Sequence, residues 1–248
     1  MIQNNELKRY QKKYDYSYTF GNFPTFELLK CKSECAEKIL YHSLLKDDIL
    51  EKLTAECSRR HIELLHSDRI VEKIRDKESC ILVGVFRKYE QQLVHNTNHV
   101  VLVNPSDSGN LGTILRTCTG FGIHDIAVIE PAVDLFAPKV IRASMGSIFH
   151  ARVRYYESFD IYYKEFGSER MLYPFMLKGA RQLGQLNINR ESPFSLIFGN
   201  EASGLDDSFL QIGSSVLIQH SNEIDSLNLS MAVGIALFEF TKDAFKMR

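Results

Sequence analysis

The chain has 248 residues, 44% apolar and 25% charged, with a formal net charge of −1. That length suits one large domain or two modest ones. The near-neutral balance argues against an indiscriminate polyanion binder while leaving room for a local basic patch. No run of 18 apolar residues is present to span a bilayer, and the polar, basic opening from Met1 to Lys13 is unlike a secretory leader. A cytoplasmic protein without membrane attachment is therefore expected. The five cysteines, Cys31, Cys35, Cys57, Cys80 and Cys118, are odd in number. They show neither a CxxC pair nor a Cys/His pair at zinc-ligand spacing, so free thiols and no metal are expected.

In chain order, residues 1–13 read as a short polar helix or loose arm and residues 14–26, with Tyr, Phe, Gly and Pro, as an irregular lead-in. A short helix is expected over Thr25–Cys35, then a strand over Glu37–Leu45. Asp47 and Asp48 supply a cap and favourable charge for a helix running to about His61. Ile62–Leu65 suits a strand, Ser67-Asp68 caps a short helix, and Ser79–Phe86 (SCILVGVF) is a buried strand. This βαβαβ order defines a small α/β domain over residues 1–95, and the polar stretch from Arg87 to Asn98 reads as a linker.

A second α/β pattern fills residues 96–248. Strands are expected at Val100–Val103, Asp125–Ile129, Ala151–Tyr155, Arg170–Leu177, Phe194–Phe198 and Ser214–Gln219. Helices are expected at Thr113–Phe121, within Pro131–His150, at Phe159–Phe166, at Asp206–Ile212 and from Leu227 to Arg248. Lys178–Glu191 is polar and loop-like. Such alternation predicts a mostly parallel sheet with helices on both faces.

Three stretches have the residue types for chemistry. In Asn110-Leu-Gly-Thr-Ile-Leu-Arg-Thr117, Gly109 and Gly112 permit close approach of backbone to a ligand. Arg116 has no acid at helical spacing to pair with, so it is either a solvated helix residue or a clamp for phosphate or carboxylate. In Gly199-Asn-Glu-Ala-Ser-Gly204, Glu201 follows a buried strand; the plain alternative is a simple turn with a surface Glu. In Ser226-Leu-Asn-Leu-Ser-Met-Ala232, Ser226 suits the N-cap of the last helix, and Asn228 offers a donor and an acceptor at the same end. The run Met231–Phe240 (MAVGIALFEF) is apolar over most of its circumference, so the helix is either buried in the sheet packing or, the favoured reading, half buried and half in a subunit interface. There is no Ser-His-Asp arrangement, no convincing carboxylate metal cluster, and no GxGxxG dinucleotide fingerprint.

Together and in this order, NLGTILRT, LIFGNEASGL and SLNLSMAVGIALFE resemble the three signature motifs of the SpoU (TrmH-like) branch of SPOUT RNA methyltransferases. The resemblance covers roughly residues 97–245. The small α/β domain before it looks like the L30e-like substrate-binding domain that precedes many rRNA 2′-O-ribose methyltransferases. The resemblance implies a parallel-sheet domain whose C-terminal segment threads a trefoil knot, against the general rule that chains are unknotted. It implies an S-adenosylmethionine site in loops matching Gly199–Gly204, Ile218–His220 and Ser226–Leu229, contacted by Phe198, Gly199, Asn200, Glu201, Gly204, Ile218, Gln219, His220, Ser226, Leu227 and Leu229. It implies a homodimer packed partly through the terminal helix. The catalytic set carried over is Asn110, Arg116, Glu201, Ser226 and Asn228, acting on a ribose 2′-hydroxyl of RNA, with rRNA as the expected target. A tRNA target and a non-catalytic RNA-binding protein that keeps the fold are the alternatives. One departure stands out: where the family often has Ile-Pro-Met and a Gly-rich loop, this chain reads Ile218-Gln-His220 and then Ser-Asn-Glu-Ile-Asp225.

Overall fold

The computed structural model describes residues 7–178, 181–189 and 191–245. The chain divides by packing into two units, Met1–Tyr89 with Asp134–His150, and Glu90–Val133 with Ala151–Arg248.

The first unit is built on a mixed four-stranded sheet. Its elements are β1 (Tyr16–Phe20), α1 (Asn22–Cys31), β2 (Ala36–Tyr41), α2 (Asp47–Arg60), β3 (Glu63–His66), α3 (Asp68–Ile74) and β4 (Leu82–Arg87). The strand order is β1-β4-β2-β3, with β4 antiparallel to both neighbours and β2 parallel to β3. Side chains alternate across the strands. Leu40 therefore joins Tyr16, Tyr18, Val71 and Ile74 in one cluster, while Ile39 joins Leu29, Leu53 and Cys57 in another.

Strand β1 was expected to be irregular. Its five residues are all buried, and the Tyr-Ser-Tyr-Thr-Phe alternation gives it an aromatic face and a hydroxyl face. The hydroxyls are satisfied: Ser17 Oγ donates to Phe136 O at 2.6 Å, and Thr19 Oγ1 lies 2.8 Å from Thr25 Oγ1. Of the arm expected over residues 1–13, residues 1–6 lie outside the described residues, and the rest carries no helix. Leu7 is buried in the aromatic cluster. Helix α2 begins one residue earlier than a cap at Asp47 requires. Lys46 occupies the cap position without a side-chain bond, and Asp47 and Asp48 lie in the first turn, where their charge meets the exposed amides. Ser67 caps α3 as expected, accepting from Ile70 N.

The second unit contains β5 (His99–Val103), α4 (Ser108–Gly120) and β6 (Asp125–Ile129). The chain then passes through α5 (Pro138–Ala143) into β7 (Arg152–Tyr156), α6 (Phe159–Phe166), β8 (Met171–Pro174), β9 (Arg181–Gln182), β10 (Phe194–Phe198), β11 (Val216–Leu217) and α7 (Leu229–Thr241). By packing, α5 and the whole segment Asp134–His150 belong with the first unit, although the division at residue 95 assigned them to the second. The five-stranded sheet β7-β6-β5-β10-β8 is parallel throughout, as the strand-helix alternation predicts. Val101, Ala127 and Ile197 face α6 through Tyr162 and Phe166. On the opposite face Phe240 of α7 packs on Phe194 with ring centroids 5.0 Å apart.

Three details depart from expectation. Helix α4 starts at Ser108 rather than Thr113, because the Asp107 carboxylate accepts from Asn110 N at 2.8 Å and caps it there. Gly109 and Gly112 are therefore helical, not part of an open loop. The expected loop 178–191 contains the short strand β9, which pairs with β11 in a separate parallel pair. Helix α7 ends at Thr241, and residues 246–248 of the expected helix lie outside the described residues.

Candidate active site

Strands β5 and β10 are neighbours in the sheet, with Phe198 opposite Leu102. Their carboxyl ends, and the loops that leave them, consequently meet at one edge, where parallel α/β sheets bind ligands. The loop after β10 turns back sharply. Asn200 bridges Gly204, whose N–H donates to Asn200 O at 2.9 Å. Gly199 sits so close to the returning strand that a Cβ there would meet Gly204 and Leu205 backbone atoms at 2.1–2.3 Å. Only glycine fits.

The turn delivers Glu201 to the start of α4. One carboxylate oxygen accepts from Ser106 N at 3.0 Å and Ser106 Oγ at 2.8 Å; the other accepts from Asp107 N at 3.1 Å and Asn110 Nδ2 at 3.1 Å. Burial alone raises this carboxyl's pKa, but hydrogen bonds from Asn110 and from Ser106 outweigh it and hold the value at about 2. Asn110 passes the connection on: its Oδ1 accepts from Asn228 Nδ2 at 3.1 Å. Asn228 in turn caps α7, its Oδ1 accepting from Ser230 N at 2.9 Å and Ser230 Oγ at 2.7 Å. A continuous bonded line thus joins the loop after β10, the start of α4 and the start of α7. Asn200 adds a second tie from the same loop, donating to Asn104 O at 2.7 Å.

Beside this line lies a cavity of about 620 Å³, within the usual range for small-molecule sites. Ten of the residues expected at a cofactor line it: Phe198, Gly199, Asn200, Glu201, Gly204, Ile218, His220, Ser226, Leu227 and Leu229. Gln219 does not. It points away and donates to Gln182 Oε1 at 2.7 Å, which ties the divergent loop to β9. His220 Nδ1 lies 2.9 Å from Ile218 O, so the ring N–H donates to that carbonyl. Ser226 lines the cavity but does not cap α7; Asn228 holds that position, two residues later. The opposite wall, unforeseen from sequence, comes from Phe175 to Lys178 just beyond β8. Phe175 stacks on Phe198 with centroids 4.5 Å apart and planes within 12°, and Lys178 Nζ reaches Asp207 at 2.9 Å. These residues follow a short apolar strand with no motif of its own, and the pairing of β8 with β10 brings them to the edge.

Arg116 stands apart. It is exposed on α4, makes no hydrogen bond or ion pair among the described residues, and is not on the cavity wall. Helix α7 packs beside α4, with the position of a Cβ on Gly234 lying 3.7 Å from the Thr117 methyl. Val233, Ala236, Leu237 and Phe240 of α7 are buried, while Met231, Ile235 and Phe238 are 60%, 38% and 57% exposed. Leu237 therefore belongs to the core, and the apolar surface of α7 is the stripe Met231–Ile235–Phe238.

A family model described as the SpoU rRNA Methylase family matches residues 97–238. The chain belongs to that family. An uncharacterized tRNA/rRNA methyltransferase of Synechocystis is 32% identical over 142 residues, covering 56% of this chain and 51% of its own length. The 23S rRNA (guanosine(2553)-2′-O)-methyltransferase of Bacillus subtilis is 26% identical, covering 63% of each chain. The matched part of this SpoU-family chain thus spans about half to two thirds of these relatives. The fold extends further than the sequence match: the AdoMet-bound rRNA methyltransferase of Sinorhizobium meliloti superposes with a TM-score of 0.80 over 94% of this chain and 89% of its own, at 24% identity. Among the described residues no helix of this SpoU-family chain is long and apolar enough to cross a membrane.

Proposed function

We propose that the protein binds S-adenosylmethionine in the cavity beside Glu201 and transfers its methyl group to a ribose 2′-hydroxyl of RNA, with rRNA as the target. The observation that carries this reading is the bonded line Glu201–Asn110–Asn228, which closes three motif segments around one edge of the cavity. The residues present fit the cofactor. Phe198, Leu227 and Leu229 offer apolar surface to a purine, and the Gly199 turn brings backbone amides to the wall without a side chain in the way. The Sinorhizobium relative, described as AdoMet-bound, supports the choice of cofactor, and the name of the Bacillus relative supports rRNA.

When bound, S-adenosylmethionine supplies a methyl on a sulfonium, already an activated leaving group. The protein's part is then positioning and electrostatics. Glu201, kept ionised by the donors around it, fixes the turn after β10 against α4. Asn110 and Asn228 fix α4 against α7. A guanidinium is a poor base in general, so Arg116 takes a plainer part. Its role is to bind the phosphate next to the target ribose and to stabilise the oxygen as the methyl attaches and the hydroxyl proton passes to water.

Because Arg116 lies off the wall of its own chain's cavity, we place it in the site of a second copy, with a homodimer formed through the Met231–Ile235–Phe238 stripe beside α4. The trefoil knot and the L30e-like role of the first unit in holding structured RNA belong to the same proposal; shape, sugar and phosphate contacts would carry that recognition. Calorimetric titration with S-adenosylmethionine, followed by transfer of labelled methyl to rRNA and to tRNA, tests it. The expected result is saturable binding and label at a 2′-oxygen of rRNA. Absence of cofactor binding refutes the enzyme reading, and label only in tRNA refutes the target.

A further inference from the structure

Glu27 and Cys31 stand one turn apart on α1 and share a face. His150 reaches the same point from the end of the 3-10 turn Ser147–Phe149, within the segment that packs into the first unit. Cys31 Sγ lies 3.4 Å from His150 Nε2 and 3.8 Å from Glu27 Oε2, and His150 Nε2 is hydrogen-bonded directly to Glu27 Oε2. All three side chains are half-buried. We propose that Glu27, Cys31 and His150 form a divalent transition-metal site, with zinc as its ordinary ion, that clips the segment 134–150 onto α1.

The donor set is the first argument. A thiolate, an imidazole and a carboxylate together are what zinc binds, whereas calcium and magnesium take oxygen alone. Geometry is the second. Bonds of about 2.3 Å to sulfur and about 2.0–2.1 Å to nitrogen and oxygen separate the donors of a tetrahedral ion by roughly 3.3–3.6 Å. The two sulfur edges are already near that length, so only the histidine–glutamate edge has to open. The third argument is how the chain is shaped around Glu27. Gly146 has φ +83°, and a Cβ there would fall 2.7 Å from Glu27 Cβ, so the returning turn needs glycine to pass that side chain. The other carboxylate oxygen faces Lys30 Nζ at 4.0 Å, which leaves Oε2 to the ion.

Without an ion, burial and the neighbouring Glu27 push the Cys31 thiol above its ordinary pKa. Metal binding therefore sends the thiol proton to solvent. Three protein donors leave the fourth tetrahedral position to water. Cys31 and His150 are 119 residues apart in sequence, and cross-links over long separations constrain the unfolded chain the most. That same separation hides the site from any spacing motif.

The test is titration of the full chain, stripped by chelator, with Co²⁺ and then Zn²⁺. One Co²⁺ should bind per chain with a thiolate-to-cobalt charge-transfer band in the near ultraviolet. One equivalent of Zn²⁺ should abolish the band, and saturating Zn²⁺ should raise Tm by about 5 °C. Cys31→Ala and His150→Ala should lose both the band and the Tm shift, Glu27→Gln should bind at least tenfold more weakly, and Cys35→Ala should keep both. Cys31→Ser, nearly isosteric, serves if the alanine variant loses its native circular dichroism. No charge-transfer band in the wild type, or one that survives in the Cys31 variants, overturns the proposal.

Discussion

Replacing Glu201 by Gln changes almost no volume, yet it should disrupt the site because the hydrogen-bonded line has a direction. Asn228 cannot turn its amide over: its oxygen is committed to Ser230 N at the cap of α7. It must therefore offer its NH₂ to Asn110, which must receive it on Oδ1 and pass its own NH₂ toward residue 201. Ser106 N, Ser106 Oγ and Asp107 N also donate there. With Asn200 Nδ2 at 3.5 Å, five donors converge on two oxygens, and a carboxylate is the only side-chain group of that size that accepts throughout. Whichever way the substituted amide turns, at least two donors face an NH₂. Hydrogen bonds to a charged group contribute about 1.5–3 kcal/mol each; with the site half open to water, the loss is about 2 kcal/mol in all. Because this turn forms the cavity wall, the loss should be read as roughly 30-fold weaker cofactor binding by calorimetry at pH 7, with Tm lower by about 4–8 °C. An affinity within threefold of wild type would refute the directional argument. The pH dependence follows the same group. Its folded pKa, about 2, lies below the ordinary 4.5. The tie is fully present above the ordinary value and is lost as pH falls from there through about 2.

Arg116→Ala should lower methyl transfer by at least a hundredfold while leaving cofactor affinity and Tm unchanged; near-normal turnover would remove Arg116 from the chemistry. Phe238→Glu places a charge in the exposed stripe of α7 without touching the core, and light scattering should show monomers with little activity. A stable, active dimer would show that this stripe is not the interface. Gly199→Ala forces a methyl into the Gly204–Leu205 backbone and should abolish cofactor binding in a chain that still shows native circular dichroism. His99 is fully buried, hydrogen-bonded to Tyr162 Oη and Val94 O at 2.9 Å each. Burial, aided by the Arg170 charge, pushes its pKa down to about 4 from an ordinary 6.5. The unfolded chain therefore takes up a proton that the folded one refuses, and stability falls as pH drops from 6.5 toward 4, by on the order of 3 kcal/mol. Denaturant titrations at pH 7 and pH 4.5 should show this loss in the wild type and a flatter dependence in His99→Gln.

The parallel sheet was legible because its strands are apolar on both faces and separated by helices of ordinary length: Val100–Val103, Asp125–Ile129 and Phe194–Phe198 lie in or fill β5, β6 and β10. Strand β1 escaped notice because Gly21 and Pro24 follow it closely, and composition outweighed the period-2 pattern of Tyr16 to Phe20. The allegiance of residues 134–150 was hidden for a different reason. Nothing in a helix's own sequence says which sheet its apolar side will cover, and α5 has only Val140 and Ile141 buried to signal it.

At the site, residue types were legible and their connections were not. Asn110, Glu201 and Asn228 were identified by motif, but as separate members of a set; that they form one line depends on β5 and β10 being neighbours, which chain order does not state. The cap of α7 shows what followed from this. Ser226 and Asn228 are both good N-cap residues, and local sequence favours neither. Tertiary contact decides between them, because a cap at Asn228 fixes that amide's orientation and leaves its NH₂ for Asn110. A cap at Ser226 would leave the Asn228 amide free to rotate within the helix's first turns, and the line to Glu201 would lose its fixed end. The choice of cap residue and the requirement for a carboxylate at position 201 are thus one constraint seen from its two ends. The pair Asn228→Ser and Glu201→Gln should show it: a serine cap keeps α7 but cannot enforce the donor direction, so the two substitutions together should weaken cofactor binding by much less than the product of their separate effects. Fully additive losses would mean that the two residues act independently.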